Sequence, residues 1–273
     1  MNVPFWKMHA SGNDFVVIDN REGVVSGDIE DFVMRVCRPH YGVGADGLIL
    51  IEKSKTADFR WHFHNADGGE VEMCGNGSRC AALFAYKNGI AGRTMSFETR
   101  AGLITADVVD EGTVKVQLTD PTDFIETLRV PLPGRTREAG FINTGVPHVV
   151  YFVDDLDAVD VIGEGSATRY HDLFAPAGTN ANFAVVTGRG TMAVRTYERG
   201  VEGETMACGT GATACALVAG ARGLVDSPVL IGTRGGNELK VYFTRAGAAF
   251  REVYLEGDAV LVYRGELEDG ALI

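Results

Sequence analysis

The chain has little of what would mark a membrane, secreted or nucleic-acid-binding protein. Its 273 residues contain no apolar run near the ~20 residues that a membrane-spanning helix needs. Lys and Arg number 25 against 37 Asp and Glu, and the charges are mixed along the chain, so no positive patch for nucleic acid or anionic lipid is expected. The first residues also lack a basic segment leading into an apolar stretch, so no secretory signal is expected. We therefore predict a cytoplasmic protein whose partners are small molecules.

Cysteine is scarce as well. The chain has 5 cysteines, and an odd number in a reducing compartment indicates thiols rather than a disulfide framework. The intervals from Cys74 to Cys80 and from Cys208 to Cys215 are longer than the gap of about two to four residues in a structural zinc site, so no metal is predicted. Cys37, Cys80 and Cys215 are interpreted as small buried apolar residues.

Glycine is abundant, at 35 residues, and some of it belongs to an internal repeat. Gly-Glu followed by Cys-Gly-x-Gly occurs at 69–77 and again at 203–211, with 134 positions between the two copies. A second pair of segments, 11–17 and 144–150, matches with an offset of 133. Two matches at half the chain length predict a duplication.

Each half has the same predicted succession of elements. Runs of alternating β-branched residues indicate strands, the Cys-Gly-x-Gly turn follows, and then come an alanine-rich helix and further strands. The helices are expected over 78–87 and 212–222, and both are small or apolar on all sides, which indicates burial. The predicted fold class is α/β (α+β), with two pseudo-symmetric lobes from internal duplication and a helix through the middle of each lobe. The active site is expected in the cleft between the lobes.

The boundary between the lobes is expected where proline clusters. Three of the chain's 8 prolines fall within 121–133. The predicted domains are therefore an N-terminal lobe, 1–120, and a C-terminal lobe, 121–273. A last strand at about 260–273 is a candidate to pack back onto the first lobe.

A cysteine just before a helix is placed for acid–base chemistry. The positive end of the helix and its free backbone N–H groups stabilise the thiolate, so the thiol pKa can fall from ~8.5 towards neutrality. The glycines let a substrate approach the backbone, whose N–H groups suit a carboxylate. Two such turns in pseudo-symmetric lobes can hold a thiol and a thiolate on opposite faces of one carbon, which is what stereoinversion requires. Cys74 and Cys208 are the candidate pair.

A second feature lies ahead of Cys208. Glu198 and Arg199 place a carboxylate beside a guanidinium, a combination that suits the ammonium and carboxylate of an amino acid. A solvated ion pair at the end of a strand explains the same spacing equally well.

Four segments together resemble the diaminopimelate epimerase family. They are 9–15 (HASGNDF), 65–77, which begins NADG and ends MCGNG, 178–182 (GTNAN) and 197–211 (YERGVEGETMACGTG). The likeness spans roughly residues 5 to 265, and the last segment separates this family from the related proline racemases and phenazine-biosynthesis isomerases. It implies a cofactor-independent, two-base interconversion of LL- and meso-2,6-diaminopimelate in lysine and cell-wall biosynthesis. It also implies two lobes that each wrap a curved, mostly antiparallel sheet or barrel around the central helix. A related two-cysteine racemase, acting on proline or hydroxyproline, is the alternative.

The resemblance also implies roles for individual residues. Cys74 matches the acid and Cys208 the base for the LL-to-meso direction, with the roles exchanged in reverse. Backbone N–H groups that would hold the reacting carboxylate belong to Gly75, Asn76, Gly209 and Thr210. The residues matched to the amino groups and the distal carboxylate are Asn13, Asn65, Asn180, Glu198 and Arg199. His148, with Glu198, matches the pair thought to tune the thiols, and Tyr263 matches a dimer-interface tyrosine, which implies a homodimer.

Two positions depart from the family pattern. Gly47 stands where many members have Gln after Gly-Ala-Asp, and Val146 stands where many have Asn before Pro-His. Both departures remove an amide contact to substrate, so either water or other side chains replace it, or recognition of the distal end differs.

The sequence also contains features that other functions could use. The segment 42–47 matches G-x-G-x-x-G, but it leads into a strand-like run instead of opening a helix, which argues against a dinucleotide. No lysine lies in a recognisable pyridoxal phosphate context. A cysteine hydrolase with Cys208 as nucleophile and His148 as base, and a thiol switch that closes Cys74 to Cys208, stay open.

Overall fold

The computed structural model describes residues 2–247 and 249–268. The chain divides into two compact units. Unit one runs to Gln117 and resumes at Gly257, and unit two is Leu118–Glu256. Residues 269–273, the end of the predicted last strand, lie outside the described residues.

Unit one is built on strands β1 to β8 and the final strand, β18. Their bounds are Val3–Ala10 (β1), Asn13–Asp19 (β2), Gly47–Glu52 (β3), Phe59–Asn65 (β4), Glu70–Val71 (β5), Thr94–Thr99 (β6), Gly102–Val108 (β7), Thr113–Gln117 (β8) and Val260–Leu267 (β18). The helices of this unit are Ile29–Cys37 (α1) and Gly75–Lys87 (α2). β1 pairs antiparallel with β18 and β2, β2 runs parallel to β3, and β3 pairs antiparallel with β4. β4 carries the short antiparallel β5 and the parallel β6, which continues antiparallel into β7 and β8.

Unit two repeats this order. Its strands are Thr122–Leu132 (β9), Arg135–Asn143 (β10), Pro147–Phe152 (β11), Asn180–Gly188 (β12), Thr191–Glu198 (β13), Gly203–Thr205 (β14), Val229–Gly232 (β15), Glu238–Ala246 (β16) and Ala249–Asp258 (β17), whose last two residues belong to unit one. Its helices are Val161–Arg169 (α3), a 3-10 turn at Asp172–Phe174, and Gly209–Ala221 (α4). β10 pairs antiparallel with β9 and β11, β11 runs parallel to β12, and β12 pairs antiparallel with β13. β13 carries the antiparallel β14 and the parallel β15, followed by antiparallel β16 and β17.

The central helices, α2 and α4, each pack against the strands of their own unit. α2 contacts β1, β2, β3, β7 and β8, while α4 contacts β10 to β13 and β16. Residues 77–85 of α2 and 211–219 of α4 are buried. The predicted fold class is therefore confirmed: a duplicated α/β fold in which each unit packs a mostly antiparallel sheet against one apolar helix.

Both central helices begin three residues earlier than the alanine-rich runs indicate, at Gly75 and Gly209. Glycine is a poor helix former, which is why the sequence places these residues in a turn. In the structure, Cys74 and Cys208 have extended backbones, with φ of −143° and −128°, and each is the N-cap residue of its helix. The thiols thus lie closer to the free N–H groups of the first turn than the pattern alone suggests.

The proline-rich stretch takes up regular structure. Pro131 lies on β9 and pairs with Thr136 on β10, and Gly134 turns the chain between the two strands with a φ of 77°. The division between the units falls shortly before this hairpin, at Gln117 and Leu118. The glycine-rich segment 42–47 connects α1 to β3 and opens no helix. No helix among the described residues has the length and apolar character to span a membrane.

Candidate active site

The first candidate thiol lies at the N-terminus of α2. Cys74 is half-buried, and its Sγ accepts the backbone N–H of Gly77 at 3.4 Å. Gly75 and Asn76 follow in the first turn, where helix N–H groups lack an acceptor inside the helix. This is the local geometry that the predicted carboxylate-binding role requires.

Asn76 leads to another of the predicted binding residues. Its Nδ2 donates to Asn13 Oδ1 at 3.2 Å, and Asn13 Nδ2 donates to Asp46 Oδ2 at 2.7 Å. Because an ionised carboxylate only accepts, Asp46 fixes which end of the Asn13 amide faces Asn76. Sequence reasoning missed Asp46, although it belongs to the Gly-Ala-Asp segment that drew attention to Gly47.

Asn65 and Gly47 lie opposite each other on two adjacent strands. Asn65 ends β4, is exposed, and pairs with Gly47 on β3. A Cβ on Gly47 would lie 2.5 Å from Cε2 of Phe63 and 2.6 Å from the carbonyl oxygen of His64. A glutamine at this position would therefore displace the Phe63 ring, so the departure at Gly47 is matched by local packing.

The unit also contains a buried cation that sequence reasoning missed. Arg79 of α2 is 0 % exposed. Its guanidinium donates to Asn76 Oδ1 at 2.9 Å, to the Gly75 carbonyl at 3.4 Å, to Ser11 Oγ at 3.3 Å and to the Asp258 carbonyl at 3.0 Å. A charged residue inside an otherwise apolar helix was the signal that could have revealed it.

The second candidate thiol lies at the N-terminus of α4. Burial, together with the negative charge of Glu198, raises the pKa of the Cys208 thiol to about 12. The Thr210 hydroxyl, 3.6 Å from Sγ, and the Gly211 N–H act in the opposite direction but are outweighed. The predicted fall of the pKa towards neutrality is therefore wrong for Cys208 in this state, because desolvation and a neighbouring carboxylate exceed the effect of the helix terminus.

Glu198 is the carboxylate beside that thiol. It accepts a hydrogen bond from the Thr205 hydroxyl at 2.9 Å and is also hydrogen-bonded to Cys208. Burial raises the pKa of Glu198 above its ordinary value, and these hydrogen bonds partly reverse the shift. Thr205, which follows Gly-Glu in the repeat, is a further contact that the sequence analysis did not single out.

His148 begins a buried polar network in unit two. Its Nδ1 lies 3.2 Å from Asn182 Nδ2, which also donates to the Val149 carbonyl, while Asn182 Oδ1 accepts the Thr196 hydroxyl. Burial lowers the pKa of His148 to about 3, with the positive charge of Arg199 acting the same way. A neutral imidazole that accepts at Nδ1 carries its proton on Nε2, and Nε2 has no partner among the described residues. His148 thus offers the site a neutral donor.

Asn180 and Arg199 are brought together on neighbouring strand ends. Asn180 donates to the Pro147 carbonyl at 2.9 Å and accepts the backbone N–H of Arg199 at 2.8 Å. The Arg199 side chain donates to the Ala177 carbonyl at 3.0 Å, and among the described residues it forms no ion pair with Glu198. Both charges are therefore held apart, as recognition of two different substrate groups requires.

Two threonine hydroxyls donate hydrogen bonds to carbonyl groups in the first turn of α4. Thr144 donates its hydroxyl to the Thr210 carbonyl at 2.9 Å, and Thr213 donates to the Gly209 carbonyl at 2.9 Å. Thr144 corresponds in the repeat to Ser11, which contacts α2 through Arg79. The two matching segments of the repeat thus have a structural purpose, since each holds the helix terminus that carries a thiol.

The other predicted residues lie apart from these clusters. Tyr263 is on β18, 45 % exposed, with its ring edge-on to Phe5 at 6.0 Å between centroids. Val146 is half-buried in the loop before β11. Cys37, Cys80 and Cys215 are buried, and burial raises the pKa of each thiol, which suits the inert role predicted for them.

Solved structures define the class of fold. A phenazine biosynthesis protein of the PhzF family from Bacillus anthracis superposes with a TM-score of 0.74 at 15 % identity, covering 98 % of this chain and 99 % of that one. A probable proline racemase from Agrobacterium radiobacter gives a TM-score of 0.72 at 14 % identity, covering 98 % and 93 %. At these identities the likeness is one of fold: the duplicated two-unit fold that these isomerase and biosynthetic proteins share.

Sequence comparison narrows the class to one family. Residues 5–123 and 140–262 match the diaminopimelate epimerase family. A diaminopimelate epimerase from Aquifex aeolicus is 49 % identical over 98 % of this chain and 99 % of its own length, and one from Hydrogenobaculum is 47 % identical over 96 % and 97 %. The chain belongs to the diaminopimelate epimerase family, which confirms the resemblance drawn from its motifs.

Proposed function

We propose that this protein interconverts LL- and meso-2,6-diaminopimelate by a two-base mechanism, with Cys74 and Cys208 as the catalytic residues. The observation that carries the proposal is the repeated placement of the thiols. Each is the N-cap residue of the buried central helix of its unit, and each is followed by a glycine-rich first turn. Membership of the family supplies the substrate class, a diamino dicarboxylate.

The reaction moves one proton off the α-carbon and another onto it from the opposite face. In the LL-to-meso direction the Cys208 thiolate removes the α-proton and the Cys74 thiol delivers one, and the roles exchange in reverse. Cys208 must therefore lose its proton once substrate is bound. An ammonium group placed against Glu198 would offset the carboxylate that now raises the pKa of Cys208, so substrate binding itself promotes formation of the thiolate.

The carbanion needs fixed donors, since an α-C–H is a far weaker acid than a thiol. Backbone N–H groups of Gly75, Asn76, Gly209 and Thr210, in the first turns of α2 and α4, are proposed to hold the reacting carboxylate. Preorganised donors of this kind and positioned proton transfer each contribute on the order of 10²-fold or more. Asn13, Asn65, Asn180, Glu198 and Arg199 are proposed to bind the amino groups and the distal carboxylate.

We also propose a pathway, a cellular location and an oligomeric state for the protein. The two-thiol chemistry proposed above uses no pyridoxal phosphate, and we propose that the protein acts in lysine and peptidoglycan precursor synthesis in the cytoplasm. A homodimer is supported by β18, where Val260, Val262 and Tyr263 are 38 %, 54 % and 45 % exposed. Apolar side chains that cluster on one strand favour contact with another copy of the chain.

The proposal is tested by incubation with LL-diaminopimelate in D₂O, with NMR detection of deuterium at the α-carbon. We expect deuterium incorporation with inversion in the wild type, and its loss in both Cys74→Ala and Cys208→Ala. Alanine is used because serine retains a proton that can be transferred.

Matched controls come from the same helices. Cys80 and Cys215 are buried thiols one to two turns further along α2 and α4, so Cys80→Ala and Cys215→Ala should keep most of the exchange. Exchange that survives Cys74→Ala would point to a one-thiol mechanism such as a hydrolase. Exchange into proline but not into diaminopimelate would assign the protein to a related racemase activity.

A further inference from the structure

Arg79 is a fully buried cation at the base of the turn that carries Cys74. A guanidinium taken out of water is costly unless its donors are satisfied. Four oxygens accept from it: the Gly75 carbonyl, Asn76 Oδ1, Ser11 Oγ and the Asp258 carbonyl. Two of these acceptors belong to the first turn of α2, directly after Cys74.

The matching position in unit two shows that the helix does not need this charge. Thr213 lies five residues after Cys208, as Arg79 lies five after Cys74. Thr213 ties the first turn of α4 with a single hydrogen bond to the Gly209 carbonyl at 2.9 Å. A neutral side chain is thus sufficient to hold the turn, and the buried cation requires another explanation in unit one.

The charges around the two thiols have opposite signs. Arg79 interacts electrostatically with Cys74 and with Asp258. The Asp258 carboxylate accepts from Ser11 through both its N–H and its hydroxyl, which disperses the negative charge, and His9 Nδ1 lies 3.9 Å from it.

Among the described residues, the other titratable groups near the two thiols include Glu72, which lies two residues before Cys74 and is exposed to solvent. Cys80, next to Arg79, is a buried thiol whose pKa is raised, so it stays neutral. Asp46 lies beyond Asn13 and Asn76 in the hydrogen-bonded chain. The nearest charge to Cys208 is the carboxylate of Glu198.

We propose that Arg79 is a positioning residue for Cys74: it anchors the first turn of α2 and supplies the positive charge that holds the resting negative charge on the Cys74 sulfur. The inference rests on the proposed two-thiol function. It states in addition which of the two sulfurs carries the proton before substrate binds. The free enzyme then holds a Cys74 thiolate and a Cys208 thiol. In the meso-to-LL direction, one turnover moves a proton onto Cys74 and takes one from Cys208, so proton exchange with solvent must restore the resting form. In the LL-to-meso direction, Cys208 must lose its proton and Cys74 must gain one when substrate binds, and the turnover itself then regenerates the resting form.

The test is alkylation of the free enzyme by iodoacetamide, with each cysteine followed by mass spectrometry as a function of pH. Only the thiolate reacts, so the rate reports the ionisation of each sulfur. In the wild type we expect Cys74 to react at least about tenfold faster than Cys208 near neutral pH. Arg79→Gln should slow Cys74 roughly tenfold and move its pH profile to higher pH, since a neighbouring positive charge typically shifts a pKa by about one unit or more. Arg79→Lys, which keeps the charge, should restore most of the rate.

The matched control is Thr213→Val in unit two, which removes the equivalent hydrogen bond to the helix turn without a change of charge. It should leave the pH profile of both thiols unchanged. If Arg79→Gln behaves like this control, Arg79 is structural only and the proposal is wrong.

Two further outcomes keep the test decisive. If Arg79→Gln does not fold, the wild-type ratio still decides, because faster alkylation of Cys208 than of Cys74 overturns the proposal without any variant. A wild type that alkylates as expected but shows no deuterium exchange with diaminopimelate would remove the proposed function and leave the charge distribution standing.

Discussion

The two units share a backbone order but differ in what surrounds the thiol. In unit one, Phe15 pairs with Gly47 on the parallel neighbour, and Gly47 pairs with Asn65. In unit two, His148 pairs with Asn180 on the parallel neighbour. Glu198 lies opposite Asn180, one residue beyond the pair of Ala181 with Tyr197. By strand register, Phe15 therefore corresponds to His148, Gly47 to Asn180 and Asn65 to Glu198.

The difference extends one layer further. Ile49, Phe63 and Val71 of unit one correspond to Asn182, Thr196 and Thr205 of unit two. The first turn of α2 therefore has apolar strand residues and the buried guanidinium of Arg79 near it. The first turn of α4 instead has a hydrogen-bonded network and the half-buried carboxylate of Glu198. Duplication has preserved the helix terminus that presents each thiol and has changed the charged group beside it, which is a guanidinium at the first turn of α2 and a carboxylate next to Cys208.

The largest expected contrast concerns the glycines at the third helical position. A Cβ on Gly211 would lie 2.4 Å from Asn182 Oδ1 and 3.2 Å from Cys208 Sγ, whereas one on Gly77 would meet apolar side chains, the Trp61 ring at 3.1 Å and Ile49 Cδ1 at 3.4 Å. Gly211→Ala should reduce deuterium exchange by about 100-fold or more and destabilise the fold by roughly 1–3 kcal/mol, because the polar network must open. Gly77→Ala should cost far less, since the ring can shift and alanine favours the helix by about 1 kcal/mol.

Exchange rates and urea unfolding of the two variants provide the measurement. Equal losses in both would show that the polar network of unit two is not what makes its glycine indispensable.

A smaller contrast separates His148 from Phe15. The pKa of His148 is lowered to about 3 in the folded protein, while an unfolded histidine titrates near its ordinary value. Between those values the unfolded chain binds a proton that the folded chain does not, so stability falls as the pH drops below about 6.5, by up to about 1.4 kcal/mol per pH unit. Above that range His148 contributes no pH dependence.

Urea unfolding of His148→Gln at pH 7 and pH 4.5 tests this. The variant should lose less stability between the two pH values than the wild type does, by roughly 2 kcal/mol. Phe15→Leu is the control, because it removes buried apolar area without a titrating group and should destabilise by a similar amount at both pH values. A wild type and His148→Gln with the same pH slope would contradict a buried neutral imidazole.

The features that the sequence predicts are those with a local cause. The repeated Cys-Gly-x-Gly and the alanine-rich runs indicate two buried helices with a thiol at each start, and the structure has both. Apolar composition on all sides of a helix is sufficient for burial, whatever the partner strands are.

The features that the sequence does not predict depend on distant contacts. The family resemblance implies that Glu198 tunes the thiols, but no local pattern shows how it reaches Cys208: the hairpin of β13 and β14 brings the end of one strand back to the helix start. Burial first, and then the charge of Glu198, raise the pKa of Cys208 against the expected direction. Arg79 meets acceptors from residues 11 and 258, which no local pattern connects. Pro131 and Pro133 suggest a linker, yet β9 tolerates Pro131 because an antiparallel strand loses only the hydrogen bond that its missing N–H would make.

The smallest expected effect concerns the residues at the ends of β4 and β13. Glu198→Gln keeps the size of the side chain and removes its charge, so the pKa of Cys208 should fall and iodoacetamide should modify it about tenfold faster at pH 8. The reciprocal change, Asn65→Asp, adds a carboxylate at the matching place in unit one. Because Asn65 is exposed, solvent screens the new charge, and Cys74 should slow only about twofold.

Cysteine-resolved mass spectrometry of the two variants, each with the other thiol as internal standard, measures both effects. The unequal size of the two responses is the informative part, because Glu198 is half-buried whereas the carboxylate introduced by Asn65→Asp is exposed to solvent. If Glu198→Gln leaves the Cys208 rate unchanged, burial alone sets its acidity. Substrate binding could not then activate this thiol by neutralising Glu198, and the first-turn N–H groups of α4 would have to stabilise the thiolate against the effect of burial.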